Sequence, residues 1–128
     1  MAYNILVVDD SGTMRAVIAK ALALGGVEVG NLFQAANGLL GMEVLRREWV
    51  DLVLADINMP VMNGPGMVGE MKADPALAAI PVIIVSTEGS ETRLQALKDQ
   101  GVKAFLRKPF QPEELKKAVD TVLGGSHG

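Results

Sequence analysis

Five side chains in this chain could do chemistry together: the adjacent acids Asp9 and Asp10, a third acid at Asp56, the hydroxyl of Ser86 and the ammonium of Lys108. Singly, each has an ordinary explanation, since an aspartate after a strand is most often a cap or a turn residue. What joins them is what precedes them. Asp9 and Asp10 follow Ile5, Leu6, Val7 and Val8; Asp56 follows Leu52, Val53, Leu54 and Ala55; Ser86 follows Val82, Ile83, Ile84 and Val85; Lys108 follows Ala104, Phe105, Leu106 and Arg107. The first three runs, wholly apolar, read as strands buried on both faces, the form parallel sheets take when helices cover them, and the fourth, which ends in Arg107, reads as a further strand. Parallel strands deliver their carboxyl ends to one edge, so three carboxylates, a hydroxyl and a lysine converge there.

Carboxylates so gathered repel one another, at about 4 kcal/mol per pair for a separation of about 4 Å and an effective dielectric of about 20. A domain stable by only about 5–15 kcal/mol must offset that with a shared proton or a cation. A donor set made of hard oxygens suits Mg2+, which keeps several waters and often completes its shell with phosphoryl oxygens. Mg2+ and Lys108 together balance the three acids. A phosphoryl group arriving on Asp56 would then find Mg2+, Lys108 and the Ser86 hydroxyl available to hold its oxygens.

The elements that must position these groups can be read between the strands. Ser11 caps a helix in which Met14, Val17, Ile18, Ala21 and Leu22 form an inward stripe, and Gly25 and Gly26 end it. A shorter strand follows at 31–35, then a helix after Asn37 and Gly38 with Leu40, Val44 and Leu45 inward. Beyond the turn at Asn63 and Gly64, Pro65 opens a helix to about Ala73. Gly66 and Gly69 each cost that helix about 1 kcal/mol relative to alanine, so it is expected to be short or loose at its start. Ser90 caps the next helix, whose apolar stripe is thin, mainly Leu94 and Leu97, and little burial means weak anchoring. Pro112 opens the last helix, with Leu115, Ala118, Val119 and Val122 inward. Five β-α units with right-handed crossovers predict an α/β fold, a three-layer α/β/α sandwich around a five-stranded parallel sheet; this resembles the flavodoxin-like class, which implies strand order 2-1-3-4-5.

At 128 residues, 49% hydrophobic and 21% charged, the chain is expected to be one globular domain over 1–123 with a flexible tail at 124–128. Its net charge of -3 gives no general attraction to nucleic acid or to an anionic membrane. The absence of cysteine excludes disulfides, thiol nucleophiles and thiolate metal sites. No apolar run is long enough to span a bilayer and the start lacks a basic signal-peptide region, so a cytoplasmic protein is expected. His127, the only histidine, lies in the tail and is no catalyst. Lys103, Arg107, Lys116 and Lys117 read as a solvated face rather than a nucleic-acid patch, and Met59, Met62 and Met67 as adaptable packing.

From about Asn4 to Leu123 the chain resembles the receiver domains of two-component response regulators, most closely the CheY-like single-domain members. The motifs are the acid pair Asp9 and Asp10; Asp56, Ile57, Asn58, Met59 and Pro60 followed by Met62, Asn63 and Gly64; Ser86 after its strand; and Lys108, Pro109 and Phe110. The resemblance implies that Asp56 accepts a phosphoryl group from a sensor histidine kinase or a histidine phosphotransfer protein. It implies that Asp10, Asp56 and the Asn58 backbone carbonyl bind Mg2+ directly and Asp9 mostly through water, that Ser86 and Lys108 hold the phosphoryl oxygens, and that the Lys108–Pro109 bond is cis. Phe105 matches the switch aromatic that follows Ser86, which makes the fourth helix, fifth strand and fifth helix the output face toward an unidentified downstream protein. Asn58, Thr87 and Glu88 stand where the family tunes access and acyl-phosphate hydrolysis, and Asn58 with Glu88 implies decay within minutes or faster. Thr87, where relatives commonly carry alanine or glycine, is bulky enough to narrow access to Asp56. The chain is expected to act as a monomer or weak dimer, and as no enzyme beyond its own phosphoryl transfer and autodephosphorylation.

Other functions on the same architecture are weaker matches. A flavin or nucleotide carrier needs a phosphate-cradling loop after the first strand, where Asp9 and Asp10 would repel a phosphate. An aspartate-nucleophile phosphohydrolase wants a second acid two residues after the first, but Ser11 follows Asp9 at that spacing and Gly12 follows Asp10. A receiver-shaped interaction module working without phosphate is the stronger competitor, and intact Asp10, Asp56, Ser86 and Lys108 argue against it.

Overall fold

The apolar runs form the strands of one sheet. In the computed structural model, which describes residues 2–87 and 90–124, the elements alternate as β1 (Tyr3–Val8), α1 (Gly12–Leu24), β2 (Val29–Ala35), α2 (Gly38–Arg47), β3 (Leu52–Ala55), α3 (Gly64–Ala73), β4 (Val82–Ser86), α4 (Glu91–Asp99), β5 (Ala104–Arg107) and α5 (Pro112–Val119). All strand pairings are parallel and the order is β2-β1-β3-β4-β5, as expected.

Alternation along each strand divides the apolar residues between two cores. Ile5, Val7, Leu52, Leu54, Ile83 and Val85 face α1 and α5, where they meet Ile18, Leu22, Leu115 and Val119. Leu6, Val8, Val53, Ala55 and Ile84 face the opposite side and pack with Met42, Leu45, Met67, Met71 and Leu97 of α2, α3 and α4. Burial on both faces explains why these strands carry no polar alternation.

Two helices start at the caps expected, Ser11 and Ser90, and two more start at Asn37 and Asn63, read from the sequence as turn residues. Ser11, Asn37, Asn63 and Ser90 each accept a hydrogen bond from a backbone amide three residues on. Two inward assignments are corrected. Val17 is 46% exposed and Leu40 42% exposed. In α2 the inward positions are Gly38, Gly41, Met42, Val44 and Leu45, at helical spacing. A Cβ on Gly41 would lie 3.0 Å from Met67 Sδ and 3.2 Å from Val8 Cγ2, so the bare glycine lets the helix sit close. Leu40 then faces outward. Helix α3 forms a full ten residues despite Gly66 and Gly69. The Asn63 cap, Pro65 in the first turn and burial of Met67, Val68 and Met71 offset the glycine cost.

Helix α4 buries only Leu97 among its residues. Helix α5 passes into a π turn over Asp120–Gly124, and residues 125–128 of the segment read as tail lie outside the described residues. At the opposite end of β3 from Asp56, Trp49 is 78% exposed, its Nε1 donating to Asp51 Oδ1 at 3.1 Å.

Candidate functional site

Strand register brings the polar residues together. Val8 is level with Ala55, so Asp9 and Asp56 leave adjacent strands side by side. Ala55 is level with Ile84, which sets Ser86 one residue higher on the neighbouring strand, and Ser86 is level with Arg107, directly before Lys108. Carboxylate oxygens of Asp9, Asp10 and Asp56 lie within 4.8 Å of one another.

Lys108 binds two of the three acids. Its Nζ donates to Asp9 Oδ2 at 2.9 Å and to Asp56 Oδ2 at 3.2 Å, with all three side chains largely buried. Burial pulls the ammonium toward a lower pKa, but the hydrogen bond to Asp9 and the charges of Asp56 and Asp9 outweigh it and raise the pKa above the ordinary lysine value. The Lys108 backbone amide donates to the Ser86 carbonyl at 3.0 Å, and the peptide to Pro109 is cis. The remaining oxygens of the two acids take backbone amides: Ser11 donates to Asp9 Oδ1 at 2.9 Å and Ile57 to Asp56 Oδ1 at 2.7 Å.

Asp10 is exposed and, with Asn58, Met59, Pro60 and Asn63, lines a cavity of about 350 Å³. Ser86 is buried at the end of β4 and Thr87 exposed just beyond it. Phe105 packs half-buried against the α2–α4 core. Glu88 lies outside the described residues.

Three supports were not read from the sequence. Gly64 opens α3 against the Asp56 backbone, where a Cβ would run into the Asp56 carbonyl oxygen and lie 3.0 Å from Ile57 Cα. Val61 adopts φ 68, with Met62 N donating back to the Pro60 carbonyl at 2.7 Å, a γ-turn that a β-branched residue enters under strain. The next carbonyl, that of Met62, accepts from the Gly38 amide at 2.8 Å, tying this loop to the start of α2. The third support is Arg15, whose Nη1 reaches the Asp9 carbonyl at 2.6 Å. The one sequence signal for it was a cation near a helix N-terminus, where the macrodipole disfavours positive charge.

Residues 5–120 match the response regulator receiver domain family. The chain belongs to that family. Receiver relatives align along nearly its whole length. A chemotaxis protein CheY homolog of Campylobacter jejuni is 35% identical over 126 residues, 98% of this chain and 95% of the relative. Protein PilH of Pseudomonas aeruginosa is 40% identical over 122 residues, 95% of this chain and 98% of the relative. Among solved structures, the Vibrio cholerae chemotaxis protein CheY4 superposes with a TM-score of 0.86 at 30% identity, covering 96% of this chain and all of that one. The receiver's acidic site is thus the carboxylates that follow β1 and β3, joined by Lys108 from beyond β5. No helix among the described residues is long and apolar enough to cross a membrane.

Proposed function

We propose that this receiver is a phosphorylation-dependent switch in which Asp56 takes the phosphoryl group of a phosphohistidine on a sensor kinase or phosphotransfer protein. The observation that carries this reading is the pairing of Lys108 Nζ with both Asp9 and Asp56 beside a third acid, Asp10. In the transfer, an Asp56 carboxylate oxygen attacks phosphorus, the P–N bond breaks and its electron pair returns to the imidazole, leaving an acyl phosphate. The Ile57 amide and Lys108 orient the carboxylate. Lys108 and the Ser86 hydroxyl hold the phosphoryl oxygens where charge gathers.

The donor set fits Mg2+. Three carboxylates converge, the exposed Asp10 shares its cavity with Asn58, and every candidate ligand is a hard oxygen. Asp10, Asp56 and the Asn58 carbonyl would hold the ion, with Asp9 behind them; when bound, it supplies divalent charge to offset the phosphoryl oxygens. Phosphorylation acts on Ser86 and Phe105 and alters the face of α4, β5 and α5, where α4 is held by a single buried side chain. The protein turns over no substrate beyond its own phosphoryl group, whose hydrolysis Asn58, Thr87 and Glu88 tune.

Labelling with a radioactive phosphodonor in the presence of Mg2+ tests this directly. The wild type is expected to incorporate an acid-stable, hydroxylamine-labile label that Asp56→Asn abolishes and that decays within minutes. Undiminished label in Asp56→Asn would refute the phosphoacceptor, and no Mg2+ binding at millimolar concentrations would favour an interaction module that works without phosphate.

A further inference from the structure

We propose that Arg15 is a positioning residue for the acid pair: by gripping the peptide between Asp9 and Asp10 it presets the direction of the Asp10 carboxylate for a divalent cation. The inference rests on the receiver-switch reading above and concerns a residue outside the groups that touch phosphate or metal.

Arg15 lies in the opening turns of α1, whose first turn contains no acid. A guanidinium there works against the macrodipole and needs compensating partners. Those it has are neutral. Nη1 donates to the Asp9 carbonyl at 2.6 Å and Nε to Gln34 Oε1 on β2 at 3.0 Å. Because the guanidinium is planar, two N–H bonds in different directions fix its orientation, which a lysine ammonium could not do.

The grip falls on a residue already held on every other side. The Asp9 amide donates to the Ala35 carbonyl at 3.1 Å, while its carboxylate takes the Ser11 amide and Lys108. Arg15 supplies the remaining bond, to the carbonyl. Asp10 differs: no hydrogen bond to a described residue holds its carboxylate. The backbone sets where its Cβ stands and which rotamers reach the cation position, and one of the two peptide planes that fix that backbone is the one Arg15 holds.

The same residue has an electrostatic effect of opposite sign. A positive charge beside three carboxylates lowers their affinity for a divalent cation, whereas a fixed Asp10 raises it. Removing Arg15 therefore separates the two roles by the direction of change. Partners one shell out from metal ligands are typically worth about 10–100-fold in affinity, more than one partly screened charge contributes.

The test is calorimetric titration of Mg2+ into the wild type, Arg15→Gln, Arg15→Lys, Gln34→Ala and the Arg15→Gln/Gln34→Ala double variant, with metal-free melting by circular dichroism. Arg15→Gln is expected to weaken Mg2+ binding about tenfold. Arg15→Lys should recover part of the loss through the Asp9 carbonyl, Gln34→Ala should fall between, and the double variant should be no worse than Arg15→Gln because both act through one contact. Unchanged Mg2+ affinity with a lowered melting temperature makes Arg15 merely structural and overturns the proposal, as does tighter binding by Arg15→Gln. If Arg15→Gln does not fold, the exposed Gln34→Ala, which keeps the charge and loosens only its orientation, carries the test: weaker Mg2+ binding supports the proposal and unchanged binding overturns it. A wild type that binds no Mg2+ removes the switch reading and this inference together; equal binding by wild type and variants removes this inference alone.

Discussion

Lys108 and Asp10 show two ways in which a crowded acidic site is balanced. Lys108 is bonded to Asp9 and Asp56, and replacing it with methionine leaves those carboxylates facing each other. Lys108→Met is expected to lose about 3 kcal/mol at neutral pH, measured by urea unfolding. The raised pKa of Lys108 also fixes a pH dependence. Its contribution is complete below the unfolded lysine value, about 10.4, and is lost as pH rises through the higher folded value, because the native state then keeps a proton that the unfolded chain has released. Wild-type stability should therefore fall more steeply than that of Lys108→Met above about pH 10.4. Asp10 contributes repulsion without a compensating hydrogen bond. Asp10→Asn is expected to stabilise the metal-free protein by about 1 kcal/mol while abolishing tight Mg2+ binding, opposite signs from one substitution. The acids, Ser86 and Lys108 were legible in the sequence because an apolar strand precedes each of them. Arg15 was not, since its partners are a backbone carbonyl and an amide side chain that no spacing rule joins to it.

At the scale of elements, backbone conformation matters more than hydrophobicity. Val61 is 77% exposed at φ 68, so its side chain gains little burial while its backbone is strained. Val61→Gly or Val61→Asn should raise stability by about 1 kcal/mol with an unchanged denaturant slope. Gly64→Ala should do the reverse, by about 2–4 kcal/mol, because the obstruction is the Asp56 backbone rather than a side chain that could swing away. Helix α4, held by Leu97, should show the fastest amide exchange among the helices, checked by hydrogen–deuterium exchange. Its thin stripe was readable from the sequence. The inward face of α2 was readable only in part: Val44 and Leu45 are buried as expected, but glycine adds no hydrophobicity, so Gly38 and Gly41 occupy core positions by what they omit, and Leu40 drew attention to the wrong face.

For the molecule as a whole, the parallel sheet followed from counting β-α units and applying one handedness rule, and its strand order from the flavodoxin-like class those units resemble. Two cores cover the faces of one sheet and leave its ends open, and parallel strands bring residues scattered from Asp9 to Lys108 together at the carboxyl end. The other edge has a consequence for anyone studying the protein in solution. Trp49, the one tryptophan, sits there in water, separated from Asp56 by the length of β3. Its emission reports solvent before and after metal, phosphate or urea arrives. An optical titration that stays flat would thus be silent about binding, and heat, magnetic resonance or circular dichroism must serve as the reporter.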